Sequence, residues 1–286
     1  MMTRSLACLL FVLLSSTALQ AQFTGTIKAL KRDYIVGEPV VVRVTLTNYT
    51  GQEQILQGHR MPWISFIAKN SNGNPIHSRQ APAPRPIRIA PGQTLARDFN
   101  LSQQFQLNEV GNYSVSAVIR SGNKQVEGAT TNRTHFQLSA GRPYWSQKVG
   151  NVGPNRSVRE FRLLQFRGDK ATQLFFQIQD DDSGRIVRTA ALGNVLMLRK
   201  PSITIDGERH LNVLFLTNPN TFLHYRISPE GTIVTRQMHR RAARGEPKLT
   251  IMDQGVVIVT NSILFDPEAE ARERAKIRKI TDRPSL

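Results

Sequence analysis

From Tyr34 onward the chain alternates. Val40, Val42, Val44 and Leu46 interleave with Val41, Arg43, Thr45 and Thr47. A period of two carried by β-branched residues predicts a strand with one buried face. Gly37 and Pro39 supply the turn before it. Further strands are expected from Trp63 through Phe66 and Ile67, over Leu95–Leu101, and over Gly111–Val118. Asn70-Ser71-Asn72-Gly73-Asn74 reads as a turn. Prolines at 82, 84 and 86 make an extended crossing segment that is poor in ladder donors.

The pattern changes at Gly141-Arg142-Pro143-Tyr144-Trp145 and the Gly/Pro/Asn-rich stretch 150–155, which read as a linker over 141–155. Short apolar runs then recur between turn signals: 161–166, 174–178, 186–190, 195–198, 211–216, 222–227, 232–236 and 256–259. That spacing predicts an antiparallel β domain over 156–265. Two stretches within it look alike. Pro201–Asp206 precedes Leu211–Phe215, and Pro247–Asp253 precedes Gly255–Val259, at an offset of 46 residues. This period is close to that of a propeller blade. Strand-rich sequence also produces such pairs by chance, and the segment holds too few residues for the four to eight blades of a closed propeller. Asp266-Pro267-Glu268-Ala269-Glu270 opens a helix, with an N-cap, a proline at the first position and early acids, leading the tail 266–286.

The two ends of the chain differ in kind. Arg4, the apolar run Leu6–Leu14 and small residues up to Ala21 read as a secretory signal peptide over 1–21. The run is shorter than the roughly 20 residues needed to span a bilayer, and no transmembrane segment is expected. The single cysteine, Cys8, lies in this leader. A chain trimmed after Ala21 therefore has no disulfide, no cysteine nucleophile and no thiolate metal site. Periplasmic or extracellular placement follows. The formal net charge is +17, spread along the chain rather than gathered into one stripe. Such a field attracts anionic partners. For an exported chain these are an anionic envelope polymer or another envelope protein, and nucleic acid is not expected. The densest cluster, His239, Arg240, Arg241 and Arg244, is the candidate anion site and is expected on a solvated loop between two strands.

Gly111-Asn112-Tyr113-Ser114-Val115-Ser116-Ala117-Val118 resembles the tyrosine corner of immunoglobulin-like sandwiches. Val115 stands where antibody domains have their second disulfide cysteine, and Trp63 would take the buried tryptophan position of that fold. Residues 22–140 thus resemble bacterial exported immunoglobulin-like modules. They are also similar to macroglobulin-type and proteinase-inhibitor sandwiches. The resemblance implies a disulfide-free β-sandwich with Tyr113, Trp63 and Gly111 as structural residues, followed by a β domain with blade-like repeats. The predicted fold class is all-β with a short C-terminal helix.

Catalytic motifs are not found. His59, His77, His135, His210, His224 and His239 show no metal-ligand spacing, and neither His-Glu-x-x-His nor Gly-x-Ser-x-Gly occurs. Ser121-Gly122-Asn123-Lys124 fits Ser-x-x-Lys but is expected in a hairpin turn. Asp180-Asp181-Asp182-Ser183-Gly184 lacks the ligand alternation of an EF-hand loop and reads as an acidic turn. No catalytic residue, cofactor or metal is assigned. The expectation is a non-catalytic binding or structural protein of the cell envelope. The alternatives are a protease-inhibitor-like or macroglobulin-like module, and a hydrolase of envelope polymers.

Overall fold

A computed structural model describes residues 23–58, 61–80, 82–121, 128–150, 158–168 and 171–281, with side chains of the last helix described as far as Lys276. The expected signal peptide lies outside the described residues. The described residues are all-β, in antiparallel sheets, with one α-helix among them, near the C-terminus. It divides into two compact units. One holds the residues up to Tyr34 together with Pro39–Leu138, and the other holds Ile35–Glu38 together with Ser139–Leu286.

Among the described residues, the strands before residue 140 are β1 (Phe23–Ala29), β2 (Asp33–Ile35), β3 (Val41–Asn48), β4 (Gln54–Leu56), β5 (Ile64–Lys69), β6 (Ile87–Ile89), β7 (Thr94–Asn100), β8 (Gly111–Ile119), β9 (Ala129–Thr130) and β10 (Thr134–Ser139). One sheet runs β1-β3-β7 and the other β2-β10-β8-β5, with β9 on β8 and a small β4–β6 pair beside them. The alternation in β3 is borne out. Val42, Val44 and Leu46 are buried, while Arg43 is exposed and forms an ion pair with Asp98 of β7 at 2.7 Å. Phe99 of β7 joins the two sheets, its ring 6.1 Å from that of Trp63 and 5.2 Å from that of Phe66. Trp63 is buried just ahead of β5, and its indole N–H donates to the carbonyl of Arg85 at 3.2 Å. A buried indole needs such a partner. Asn48 is also buried, donating to the carbonyls of Gln52 and Ile89 and accepting from the amide and hydroxyl of Thr50.

Gly111 opens β8 with φ 153°. The Tyr113 hydroxyl donates to the carbonyl of Glu109 at 2.7 Å, and its ring stacks on Phe136 at 5.5 Å. This is the back-bond that the Gly111–Tyr113 pattern implies.

The second unit holds β11 (Arg142–Gly150), β12 (Val158–Arg167), β13 (Thr172–Asp180), β14 (Ile186–Asn194), β15 (Ser202–Ile205), β16 (Leu211–Asn218), β17 (Thr221–Ile227), β18 (Ile233–Arg241), β19 (Lys248–Ile251), β20 (Val257–Thr260), β21 (Ser262–Leu264) and helix α1 (Pro267–Thr281). The first sheet is β11-β12-β13-β14, the second β15-β16-β17-β18-β21, and β19–β20 is a separate hairpin. Phe161, Leu163, Phe176 and Ile178 of the first sheet share a core with Val213, Phe215, Leu223 and Tyr225 of the second. The second sheet's other face carries Leu214, Leu216 and Phe222, against which Leu249 and Val259 of the hairpin pack. The first sheet's other face buries Leu164 and Phe175 against Ile35. Strands covered on both faces lose the alternation of a half-buried strand. In β16 six consecutive residues, Leu211–Leu216, are accordingly buried.

Two expectations are corrected here. The linker over 141–155 begins instead with a strand. β11 pairs with β12 along its length, from Arg142↔Gln165 to Gly150↔Val158. It is an edge strand whose residues are half-buried or exposed, so its apolar signal is thin. Residues 151–155 lie outside the described set. Val195–Leu198 is not a strand but the loop after β14. Its apolar character comes from packing, since Val195 belongs to the core between the two sheets and Leu196 packs on the second sheet's other face.

Two hairpins stand at the 46-residue offset. Ser202↔Leu214, Ile203↔Val213, Thr204↔Asn212 and Ile205↔Leu211 pair in one hairpin. Lys248↔Thr260, Leu249↔Val259, Thr250↔Ile258 and Ile251↔Val257 pair in the other. Asp206 N–H donates to His210 O at 3.0 Å, and Met252 N–H to Val256 O at 2.7 Å. The two turns touch through their main chains, with Gly207 N–H donating to Gly255 O at 2.9 Å. A Cβ on Gly255, whose φ is 76°, would stand 2.8 Å from the Gly207 Cα. Neither position has room for a side chain.

Tyr113→Phe removes one hydrogen bond and keeps the ring. We expect a loss of about 1 kcal/mol in denaturant unfolding. An unchanged unfolding midpoint would show that the Glu109 contact carries no stability.

Candidate functional site

The β16–β17 turn, the end of β18 and the start of the tail converge in the second unit. Thr221 lies opposite Arg240, and Arg240 opposite Ile263 of β21. Asn218, Asn220, Thr221, Arg240, Arg241 and Phe265 line a cleft of about 630 Å³. Asn218 closes the turn by accepting the amide of Asn220 at 3.2 Å. The Arg240 guanidinium lies 3.6 Å from the centroid of Phe265 and makes two hydrogen bonds to Glu270 of α1, at 2.8 and 3.3 Å. Asp266 holds that helix start by accepting the amides of Glu268 and Ala269. The capping predicted for the tail is therefore what positions Glu270. Arg241 pairs with Glu246 at 2.8 Å, and Arg199 pairs with the same carboxylate. Arg199, Lys200 and Glu246 in turn line a neighbouring cleft of about 270 Å³.

Arg199, Arg240 and Arg241 thus meet two carboxylates, three positive charges to two negative ones. The guanidiniums are half-exposed and already held in place by their acid partners. Guanidiniums bind carboxylates and phosphates with two parallel hydrogen bonds, and pre-positioned ones lose less rotamer freedom when they do so. The asparagine amides and the Thr221 hydroxyl add neutral donors and acceptors at the same mouth. What the arrangement can do is hold an anion flanked by hydroxyl groups.

The candidate cluster is therefore split. His239, Arg240 and Arg241 lie on β18, not on a loop. The apolar signal of β18 ends early because its last residues serve the cleft and the tail. Strand alternation sends His239 inward, where it is buried and hydrogen-bonded through Nδ1 to the Ser262 hydroxyl at 3.0 Å. Arg240 and Arg241 line the cleft, while Arg244 is exposed in the following bend. Asn218, Asn220, Thr221 and Phe265 were not legible as site residues. The Asn-Pro-Asn sequence at 218–220 is a turn signal that could have found that end of the sheet. Trp63, Gly111 and Tyr113 belong to the first unit and serve its core.

His239 has a neighbour on the same face. His224 of β17 stands 6.1 Å away, ring centre to ring centre. Its Nε2 lies 3.1 Å from Asn212 Oδ1. Asn212 donates to the buried Asp206 carboxylate at 3.2 Å, which also accepts from Arg226 at 2.7 Å. Burial pushes His224 down to about 4, with His239 and Arg226 acting in the same direction and Gln237 against them. Burial also lowers His239. The Arg226 partner and the backbone N–H of His210 hold Asp206 low against its own desolvation. In the acidic turn, Asp180 accepts from the amide and hydroxyl of Ser183 and pairs with Arg159. Of Ser121–Lys124, residues 122–124 lie outside the described set, as does His59.

No family model matches the chain, and no curated protein matches it. Among solved structures, it is similar to the sporulation control protein Spo0M from Bacillus subtilis. The TM-score is 0.27 and the identity 10%, over 60% of this chain and 91% of that one. Among the described residues no helix is long and apolar enough to cross a membrane.

A histidine kept neutral in the fold resists protonation that the unfolded chain accepts. Stability is then full above the ordinary histidine value of 6.5, falls as pH drops toward about 4, and levels off below that. The slope is about 1.4 kcal/mol per pH unit. Between pH 7 and 5 the wild type should lose about 2 kcal/mol more than His224→Gln in denaturant unfolding. Equal losses would show that His224 titrates normally.

Proposed function

We propose that the chain is an exported, non-catalytic protein of the cell envelope that binds an anionic polymer. The cleft formed by Arg240, Arg241, Asn218, Asn220 and Thr221 is the binding site. In this reading residues 1–21 are a removed leader, and the protein works in the periplasm or outside the cell. The first unit is an immunoglobulin-like scaffold, and the stacked sheets of the second unit are blade-like layers that carry the cleft.

The observation that carries the proposal is the pairing of two half-exposed guanidiniums, each fixed by a carboxylate, at the mouth of a cleft with neutral polar groups. Charge supports it, since a chain of net charge +17 draws anions toward any such mouth. The paired acids favour binding over hydrolysis. Asp98, Asp180, Asp181, Asp206, Glu246 and Glu270 each face an arginine or lysine, and a carboxylate spent in an ion pair is poorly placed to act as acid or base. The protease-inhibitor-like reading draws on the sandwich resemblance and on the crossing loop at about 80–91, beside which Arg85 and Arg97 line a cleft of about 340 Å³.

Binding to a uronic-acid polysaccharide tests the proposal. Arg240→Ala/Arg241→Ala should weaken it at least about tenfold, and raising salt from about 50 to about 200 mM should weaken the wild type steeply, because exposed charges are screened. Binding that ignores both salt and the double substitution would overturn the assignment of this cleft.

A further inference from the structure

The β19–β20 hairpin leaves one edge unfilled. In the first hairpin the outer edge of β16 is paired by β17. The equivalent edge of β20 has no partner strand among the described residues, because β20 pairs with β19 alone and β21 crosses to β18. The bond from Met252 N–H to Val256 O sets the phase of the ladder. From that bond the hydrogen-bonded pairs run 250 with 258 and 248 with 260, so Val257 and Val259 turn their N–H and C=O groups outward. The Ser262 hydroxyl reaches the Val259 carbonyl at 3.3 Å, and that oxygen keeps a second lone pair. An open edge of this kind is a template for another strand.

The surroundings of the edge say which strand fits. Of the sixteen exposed large hydrophobics among the described residues, six lie between 251 and 264: Ile251, Met252, Val256, Ile258, Ile263 and Leu264. Residues 247–264 contain one lysine and one aspartate, for a net charge of zero. In a chain of net +17, this is a surface on which two copies can meet without like charges facing each other. The geometry is also self-complementary. If β20 meets its own copy antiparallel with Ile258 on the axis, Val257 falls opposite the second copy's Val259, and Val259 opposite its Val257. Outward N–H and C=O groups then face their counterparts on both sides. Ile258 meets the second copy's Ile258 as a non-hydrogen-bonded pair, the closer of the two antiparallel spacings.

We propose that β20 is a self-pairing edge. Two copies of this chain join through it about a twofold axis at Ile258 and form one four-stranded sheet. The contact is isologous, so it closes at two copies and does not propagate. It is small, with four backbone hydrogen bonds and a narrow apolar patch, so the dimer is weak and reversible.

Sedimentation equilibrium of the full chain at about 100 µM tests this, the range in which small interfaces show. The wild type should be largely dimeric. Val257→Pro removes only an outward N–H, which an edge tolerates, and Ile258→Lys places like charges on the axis. Both should be monomeric with unchanged strand content by circular dichroism. Position is tested separately in a Cys8→Ser background. Ile258→Cys should form a disulfide-linked dimer on mild oxidation, and Thr260→Cys should not, because antiparallel pairing moves residue 260 of the two copies well beyond disulfide reach. A monomeric wild type, equal cross-linking at both positions, or a folded Ile258→Lys that remains dimeric would each overturn the proposal. A monomer that instead takes up a foreign peptide strand would also overturn it.

Discussion

The second unit depends on strands that are covered on both faces. β16 and β17 each present one row of side chains to the core between the two sheets and the opposite row to the β19–β20 layer, and β13 turns its opposite row to Ile35. Each buried methylene contributes about 0.8 kcal/mol, and these strands gather it from both sides. Such a strand cannot shift by one residue without driving its polar positions into a core. The register of the whole stack follows from this, including the hairpin that docks Leu249 and Val259 on the second sheet. The contact of Gly207 with Gly255 then sets where the third layer sits, because backbone meets backbone with no side chain between.

Polar groups on these faces follow a matching rule. Asn212, His224 and His239 occupy positions that would otherwise be apolar, and each is buried. Asn212 bonds to His224 and to Asp206, and His239 bonds to Ser262. The low-dielectric setting that strengthens such bonds also penalises a proton on His224. The rows beyond the core are different. At the end of β18, Arg240 and Arg241 reach solvent and meet the acids of the tail and of the β18–β19 loop. One strand therefore carries a packed histidine and two cleft-lining arginines side by side.

Much of this architecture was legible and some was not, for physical reasons. Alternation located β3 because one of its faces is wet. The resemblance of Gly111–Tyr113 to a tyrosine corner implied a bond from the hydroxyl back to the main chain, and its partner is the Glu109 carbonyl. The 46-residue similarity was visible, and both stretches form hairpins. β11 was hidden because an edge strand needs few apolar residues, and its proline and glycines imitate a linker. Val195–Leu198 imitated a strand because loops that cap a core are apolar too. The basic run 239–244 was read as one patch, since charge alone does not reveal which side of a strand a residue takes. The polar cleft partners come from a turn about twenty residues away, brought there by the β17–β18 pairing.

Native-state hydrogen exchange tests the dependence on doubly covered strands most directly. If these strands hold the unit together, amides of Leu174–Ile178, Leu211–Leu216 and Phe222–Ile227 exchange last, through global unfolding alone. β11 and the β19–β20 hairpin exchange earlier, through local opening. Protection spread evenly over all the strands, or greatest in β11 or β19–β20, would contradict the account.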